Sequence, residues 1–173
     1  MCIRDSHQPG RLGPFCTCPD CPPLTADSTH TDQCQVDFYL LGDPVLTASN
    51  FACRLAMMAW ERKQRVFLTA ASETAVKHLD ELLWQYPQGR FLPHAPAKDT
   101  MSGKAPVIIG TISGLKPTDV VINLCPEAIP QPGRFGRILE IVPFAKEERE
   151  ASRLKYKSYR KLGLNPRTHE INK

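Results

Sequence analysis

Long apolar runs are absent from this 173-residue sequence. Even residues 67–71 and 120–122, among its longest runs, fall far short of the ~18 residues that a membrane-spanning helix needs. Residues 1–6 also lack the basic and then apolar pattern of a secretory signal peptide. We therefore expect a cytoplasmic protein without a membrane anchor.

Glycine is missing where a nucleotide site would need it. Only Gly42 follows the first predicted strand, whereas a dinucleotide-binding fold has G-x-G-x-x-G there so that the backbone can approach the pyrophosphate. Residues 98–105 resemble the end of a P-loop, but Lys98 replaces the first glycine of the motif. Ala105 replaces the serine or threonine whose hydroxyl would bind magnesium. The sequence therefore argues against nucleotide binding.

Catalytic and metal-binding patterns are also missing from the main part of the sequence. His78, His94 and His169 are widely separated and have no carboxylate pair at ligand spacing. Asp80 and Glu81 are typical of a solvated helix face rather than of an acid and base pair. We expect no catalytic site, no cofactor and no metal site. A degenerate nucleotide hydrolase is the alternative that the missing glycines argue against.

Residues 1–35 differ from the rest of the chain. They contain five of the seven cysteines and several prolines, show no helical or strand period, and are acidic, whereas the net charge of the whole chain is +4. Residues 1–6 resemble the translated end of a sequencing transposon. We predict an irregular extension that is extraneous to the protein. The alternative is a zinc site of Cys16, Cys18 and Cys21 with Cys34, His30 or His7.

From residue 36 onward, apolar runs alternate with patterns of helical period. The runs contain few polar residues, as expected for strands of a parallel sheet that is covered on both faces. We predict one domain, residues 36–173, with a three-layer α/β/α fold and a mostly parallel sheet, resembling a nucleotide-binding fold without the phosphate loop. The predicted strands are 36–41, 66–70, 107–109, 120–124 and 138–142.

Three helices are predicted. The first is capped by Asp43 and ends near Lys63, and the second follows the cap residue Ser72. Residues 87–105 are predicted to form a long loop, and the last helix covers residues 146–162. The predicted inner residues are Phe51, Leu55 and Met58 in the first helix, Ala75, Val76, Leu79, Leu82, Leu83 and Tyr86 in the second, and Ala151, Leu154, Ser158 and Leu162 in the last.

The last helix carries a basic face beside its predicted inner stripe. The spacing of these residues places them on one side of the helix, which is either an ordinary solvated basic face or a surface for an acidic peptide or a nucleic-acid backbone. A peptide needs an arginine for a carboxylate and an apolar hole, for which residues 142–144 and Tyr156 are candidates, whereas single-stranded nucleic acid needs stacking aromatics. The basic face consists of Arg149, Arg153, Tyr156, Lys157 and Arg160.

A second candidate surface lies near the end of the second helix. Trp84 is followed by Phe91, Pro93 and His94 beside a proline-rich segment. Such a tryptophan either covers the core or forms part of a protein-docking patch, because aromatic side chains dominate interface energetics.

These residues together resemble the chi subunit family of bacterial DNA polymerase III, over about residues 36–173. No single motif is specific, but their order and spacing together are. Residues 1–35 have no counterpart. The resemblance rests on the segments 38–41, 63–66, 79–84, 91–94, 105–107, 142–144 and 156–160, with Gly163.

The resemblance implies a non-catalytic clamp-loader accessory protein of DNA replication. It implies a one-to-one heterodimer with the psi subunit, which connects it to the rest of the clamp loader, and binding to the acidic C-terminal tail of single-stranded-DNA-binding protein. DNA contact would be mainly indirect; direct single-stranded nucleic-acid binding by the last helix is the alternative. The implied tail site is Val142, Arg149, Arg153, Tyr156, Lys157 and Arg160, and the implied psi surface, also open to a repair helicase, is Trp84, Phe91, Pro93 and His94.

Overall fold

The structure, a computed structural model, describes residues 34–85 and 89–171. No helix in these ranges is long and apolar enough to cross a bilayer. The predicted extension, together with its possible zinc ligands, lies outside the described residues except for Cys34 and Gln35. Tyr86, a predicted inner residue of the second helix, also lies outside them. The elements are β1 (Gln35–Leu41), α1 (Ala48–Glu61), β2 (Val66–Ala70), α2 (Glu73–Gln85), β3 (His94–Pro96), β4 (Val107–Thr111), β5 (Val120–Asn123), β6 (Arg137–Val142), α3 (Lys146–Lys161) and β7 (Arg167–Ile171).

The strands form one seven-stranded sheet with the order β3-β4-β2-β5-β6-β1-β7. Every neighbouring pair is parallel. The helices α1 and α2 pack on one face of the sheet, and α3 packs on the other. Because both faces are covered, the inner strands β2 and β5 are buried along their whole length. The predicted three-layer α/β/α fold is confirmed.

The first helix begins later than predicted. Its cap is Thr47, whose Oγ1 accepts a hydrogen bond from the backbone N–H three residues later at 3.2 Å. Asp43, the predicted cap, instead accepts one from the Val45 N–H at 2.8 Å and closes a turn. The predicted inner residue Met58 is 42% exposed and its neighbour Met57 is buried, because successive residues of a helix point about 100° apart.

The two edge strands were not predicted. The strand β3 lies within the segment 87–105 that was predicted to be a loop, and β7 follows α3. The strand β3 has only three residues, and no residue of β7 is buried. Neither contains an apolar run, because an edge strand is not covered as an inner strand is. The first strand also begins at Gln35 rather than at residue 36, and Cys34 is buried before it.

The predicted inner stripe of α3 is wrong. Leu154 and Leu162 are 65% and 62% exposed, Ser158 is exposed and Ala151 is half-buried. Apolar spacing was the only basis for that prediction. The side of α3 that faces the sheet is instead determined by buried polar groups.

Those polar groups form a cluster around Glu140 of β6. Lys155 Nζ donates hydrogen bonds to Glu140 Oε2 at 2.5 Å and to the Cys125 carbonyl at 3.0 Å. The Tyr159 hydroxyl donates to Glu140 Oε1 at 2.6 Å, and Asn123 Nδ2 lies 2.9 Å from the same oxygen. Burial, and then the charge of Glu140, raise the pKa of Tyr159, so that its hydroxyl remains a donor. This cluster fixes the rotation of α3 about its axis.

A second buried carboxylate holds β7 against the sheet. Asp37 Oδ1 accepts a hydrogen bond from His169 Nε2 at 2.9 Å, and Oδ2 accepts from Arg137 Nε at 2.6 Å and from Gln35 Nε2 at 2.9 Å. The His169 ring also stacks on Tyr39, with ring centres 5.0 Å apart. Burial alone would raise the pKa of Asp37, but the hydrogen bonds from His169, Arg137 and Gln35 outweigh this effect and lower the pKa.

We expect Asp37→Asn to lower the free energy of unfolding at neutral pH and to have progressively less effect below about pH 4. The pKa of Asp37 is lower in the folded protein, so its ionised form contributes stability above the unfolded-state pKa of ~3.9, and this contribution is lost as the pH falls through the folded-state pKa. Urea unfolding of both proteins across the acidic range measures the difference. A difference that stays constant with pH would contradict this role.

Candidate functional site

The helix α3 and the strand β1 border a cavity of about 210 Å³ on the α3 face of the sheet. Pockets for small-molecule ligands begin at roughly 300 Å³, so this cavity suits a single side chain. Most of its lining is apolar, and two arginines belong to it. The lining residues are Phe38, Leu40, Val142, Arg149, Ser152, Arg153, Tyr156 and Thr168.

The register of the parallel strands places the cavity residues of the sheet side by side. In the parallel pairing of β1 with β6, Leu40 lies level with Val142, and in its pairing with β7, Phe38 lies level with Thr168. The Tyr156 ring packs edge-on against Phe38, with centres 5.4 Å apart. This contact holds Tyr156 as a wall of the cavity, a position that suits side-chain binding better than stacking of a nucleic-acid base.

The two arginines lie one helical turn apart at the opening. Arg149 Nη2 donates to the Leu41 carbonyl at 3.3 Å, and its guanidinium carbon lies 5.4 Å from the centre of the Phe144 ring. Arg153 is exposed. Within residues 34–85 and 89–171, neither arginine has a carboxylate partner. Their charges therefore remain available to an anionic ligand.

The structure brings four of the six predicted tail-site residues together: Val142, Arg149, Arg153 and Tyr156. Lys157 and Arg160 are exposed on α3 outside the cavity. The remaining lining residues were not predicted to belong to the site: Phe38, Leu40, Ser152 and Thr168. The alternation along β1 was a usable signal for Phe38 and Leu40, because residues two apart share a sheet face. No signal marked Thr168, since its strand was not predicted.

The second candidate surface is an aromatic pair at the end of α2. Trp84 and Phe91 are 64% and 59% exposed, and their ring centres lie 5.5 Å apart. Pro93 is half-buried beside them. Two large exposed aromatic rings in contact are typical of an interaction surface rather than of a lid over the core.

His94 has a different place from the one predicted. Its side chain is only 1% exposed and lies against Trp84, with ring centres 5.1 Å apart. Its Nδ1 lies 2.6 Å from the Leu92 carbonyl, and Nε2 lies 3.4 Å from Asp80 Oδ1 without a hydrogen bond. The His94 ring therefore packs beneath Trp84, and its side chain presents little surface of its own.

The carboxyl ends of the inner strands surround another cavity, of about 410 Å³, where nucleotide-binding α/β folds hold their ligand. Its lining includes Ala71, Ser113, Cys125 and the acidic residue Glu127, and no lysine or arginine. A lining that contains a carboxylate and no cationic residue disfavours phosphate binding. Among the described residues, no three histidine, cysteine or acidic side chains are grouped as metal ligands.

Comparisons with known proteins point to one family. The family model described as "DNA polymerase III chi subunit, HolC" matches residues 34–167. The DNA polymerase III subunit chi of Pseudomonas aeruginosa is 34% identical over 142 residues, covering 79% of this chain and 96% of the relative. The protein of the same name from Haemophilus influenzae is 29% identical over 137 residues, covering 78% and 95%, and that from Escherichia coli is 29% identical over 138 residues, covering 76% and 94%.

A more distant likeness concerns the fold alone. The crystal structure of a DEAD box protein from the hyperthermophile Methanococcus jannaschii superimposes with a TM-score of 0.50 at 14% identity. The match covers 80% of this chain and 42% of that chain.

Proposed function

Because this chain belongs to the DNA polymerase III chi subunit family, we propose that it acts in bacterial DNA replication as a cytoplasmic, non-catalytic accessory subunit. In this role it binds the acidic C-terminal tail of single-stranded-DNA-binding protein with α3 and the psi subunit with the Trp84 and Phe91 pair. Psi connects it to the rest of the clamp loader. The protein thereby links the replicase to coated template, and it contacts DNA mainly through these partners.

The cavity beside α3 is the observation that carries the tail-binding proposal. It combines an apolar recess at Phe38 and Val142 with Arg149 and Arg153, whose charges have no carboxylate partner among the described residues. A peptide that ends in an aromatic residue presents an apolar side chain next to a free carboxylate. The side chain enters the recess, and Arg153 receives the carboxylate in a charge-assisted hydrogen bond.

The expected energies favour two dominant contacts. Exposed ion pairs contribute only ~0 to 1 kcal/mol each, so Lys157 and Arg160 mainly accelerate association with the acidic residues of the tail. The buried side chain and one charged hydrogen bond contribute roughly 1.5 to 3 kcal/mol each. We therefore expect a salt-sensitive complex with a dissociation constant near 1 μM, or about −8 kcal/mol.

Arg153→Ala is expected to weaken tail-peptide binding by about tenfold or more, because it removes the charged hydrogen bond to the terminal carboxylate. Titration calorimetry with a synthetic acidic tail peptide measures this effect. Arg54→Ala is the matched control, since Arg54 is exposed on α1, across the sheet from the cavity. Equal affinity of the two variants would contradict the assignment. A peptide with an amidated C-terminus should bind wild-type protein as weakly as the free-acid peptide binds Arg153→Ala.

Direct binding of single-stranded nucleic acid by α3 is the rival function. It predicts that an oligonucleotide binds in the absence of other proteins, with a steep salt dependence, and that the tail peptide displaces it. The edge-on packing of Tyr156 against Phe38 favours the peptide. Fluorescence anisotropy with a labelled oligonucleotide, repeated with added tail peptide, separates the two functions.

The aromatic pair Trp84 and Phe91 supports the psi-binding part of the proposal. The two rings are exposed and in contact with each other, and Trp84 is carried by α2, which packs on the opposite face of the sheet from α3. Tail and psi binding therefore use separate surfaces. A repair helicase that used the same aromatic pair would compete with psi and leave the tail site open.

A further inference from the structure

Exposed cations lie beside the aromatic pair at the amino edge of the sheet, where the parallel strands begin. The strands β3, β4 and β2 are neighbours and start level with one another. Phe91 lies three residues before β3, Lys104 three residues before β4, and Arg65 directly before β2. Since neighbouring strands are about 4.8 Å apart, only about 10 Å of this edge separates the start of β3 from that of β2.

Two contacts connect the segments along this edge. Arg65 Nη2 donates a hydrogen bond to the Gly103 carbonyl at 3.3 Å, beside the turn that Lys104 ends. Arg90 forms an ion pair with Glu61, the last residue of α1. The start of β2 therefore meets the turn before β4, and the segment before β3 meets the end of α1.

The end of α1 adds two more cations to this surface. We call Arg62, Lys63, Arg65 and Lys104 the basic edge; all four are exposed, and none forms a salt bridge with another described residue. The helix dipole favours the first two, which follow the end of α1, but it does not account for the two at the strand starts. Asp119 Oδ2 accepts the Arg65 backbone N–H at 2.7 Å, and one carboxylate does not balance four cations.

The opposite side of the aromatic pair is acidic. Asp80 and Glu81 lie four and three residues before Trp84, on the same side of α2. A nucleic acid that stacked on Trp84 would bring its phosphates towards these carboxylates. Trp84 and Phe91 also pack on each other instead of forming separate platforms for successive bases. A protein segment fits better, because it can carry acidic residues at one end only.

We propose that the partner of the aromatic pair, psi in the proposed function, places an acidic segment along the basic edge while its apolar residues cover Trp84 and Phe91. This inference rests on the proposed function, because it extends the same surface. The acidic residues face Arg65 and Lys104 at the strand starts and Lys63 after α1. Exposed charges at the rim of an interface mainly raise the association rate, so the basic edge steers psi towards the two rings.

Carbodiimide cross-linking of the full chain with psi tests the contact directly. The reagent joins lysine amines to carboxylates that lie against them, and mass spectrometry locates the joined residues. Lys63 and Lys104 are expected to be joined to aspartate or glutamate residues of psi. Lys146 is the control, because it is exposed at the start of α3, on the other face of the sheet. Yields at the two edge lysines no higher than at Lys146 would overturn the proposal.

A charge reversal measures what the basic edge contributes. The double variant Lys63→Glu with Lys104→Glu should weaken psi binding at low salt by about tenfold or more, mostly through slower association. The deficit should shrink between about 50 and about 500 mM salt, because screening removes the attraction from the wild type. Arg54→Glu with Lys146→Glu makes the same change of charge at exposed residues away from this edge, and should bind within about twofold of the wild type. Surface plasmon resonance with immobilised psi gives both rate constants.

The pattern of losses separates this inference from the function on which it rests. If Trp84→Ala loses psi but the double reversal binds it like the wild type, only this inference fails. If the wild-type chain does not bind psi, both fail. If the double reversal loses a single-stranded oligonucleotide and keeps psi, the basic edge is a nucleic-acid surface and the inference is wrong. Unchanged binding of the tail peptide shows that the double reversal is folded.

Discussion

Replacing Lys155 by alanine is expected to lower the free energy of unfolding by about 3 to 5 kcal/mol. The Lys155 side chain is 6% exposed and its partner Glu140 is fully buried, with 2.5 Å between Nζ and Oε2. Removal of the lysine leaves a carboxylate in the interior without a cation, and the Cys125 carbonyl loses its donor as well. Urea unfolding monitored by circular dichroism measures the change.

Two further variants separate the loss of the ion pair from other effects of the substitution. Lys157→Ala removes an exposed lysine from the same helix, and its effect should stay within about 0.5 kcal/mol. The double variant Lys155→Met with Glu140→Gln removes both charges and should recover a large part of the lost stability, because neither charge is left buried alone. If Lys155→Ala were no more harmful than Lys157→Ala, the buried cluster would not determine the position of α3.

The same cluster explains why the sequence predicted the basic face of α3 but not its inner side. A helix is normally oriented by its apolar residues, and on that rule Leu154 and Leu162 belong inside. Here a lysine and a tyrosine take the inner positions, since Glu140 of β6 binds both. The carboxylate that outweighs the apolar pattern is 15 residues away from Lys155, so no local pattern reveals it.

The inner strands and the helix starts show what local patterns do predict. The apolar runs at β2 and β5 are continuous, and the run at β6 is interrupted only by Glu140, because these strands are covered on both faces. Ser72 caps α2 as predicted, with its Oγ accepting a hydrogen bond from the Ala75 N–H at 3.2 Å. The cap of α1 was misplaced because Asp43 and Thr47 are both good cap residues, and the sequence does not show which of them the chain uses.

The candidate tail site could be predicted only in part, for a related reason. Arg149, Arg153 and Tyr156 share a helix face, and helical periodicity shows this directly. The apolar recess next to them depends on β1 lying between β6 and β7. That order is a property of the whole sheet, and β7 itself carries no apolar signal. The sequence alone therefore does not show that Phe38 and Thr168 lie next to the arginines.

The second large effect is expected at the aromatic pair. Trp84→Ala and Phe91→Ala should each weaken psi binding by at least about 2 kcal/mol, or roughly 30-fold, which removes psi during co-purification. The reason is that the rings are in contact and exposed, so either truncation also removes support from the other ring. Co-expression of each variant with psi, followed by affinity purification, measures the loss. Phe144→Ala is the matched control, because Phe144 is 50% exposed near Arg149 instead of near Trp84.

Tail binding by the same variants tests whether the two surfaces are separate. Trp84→Ala should bind the tail peptide with wild-type affinity, because Trp84 lies on α2 and the cavity lies beside α3 across the sheet. Arg153→Ala should show the opposite behaviour, with psi retained and the tail lost. If Arg153→Ala lost psi while Trp84→Ala lost the tail, the two surfaces would be assigned to the wrong partners. Since the sheet separates the two surfaces, the proposed function predicts that both partners bind at once, as a link between clamp loader and coated template requires.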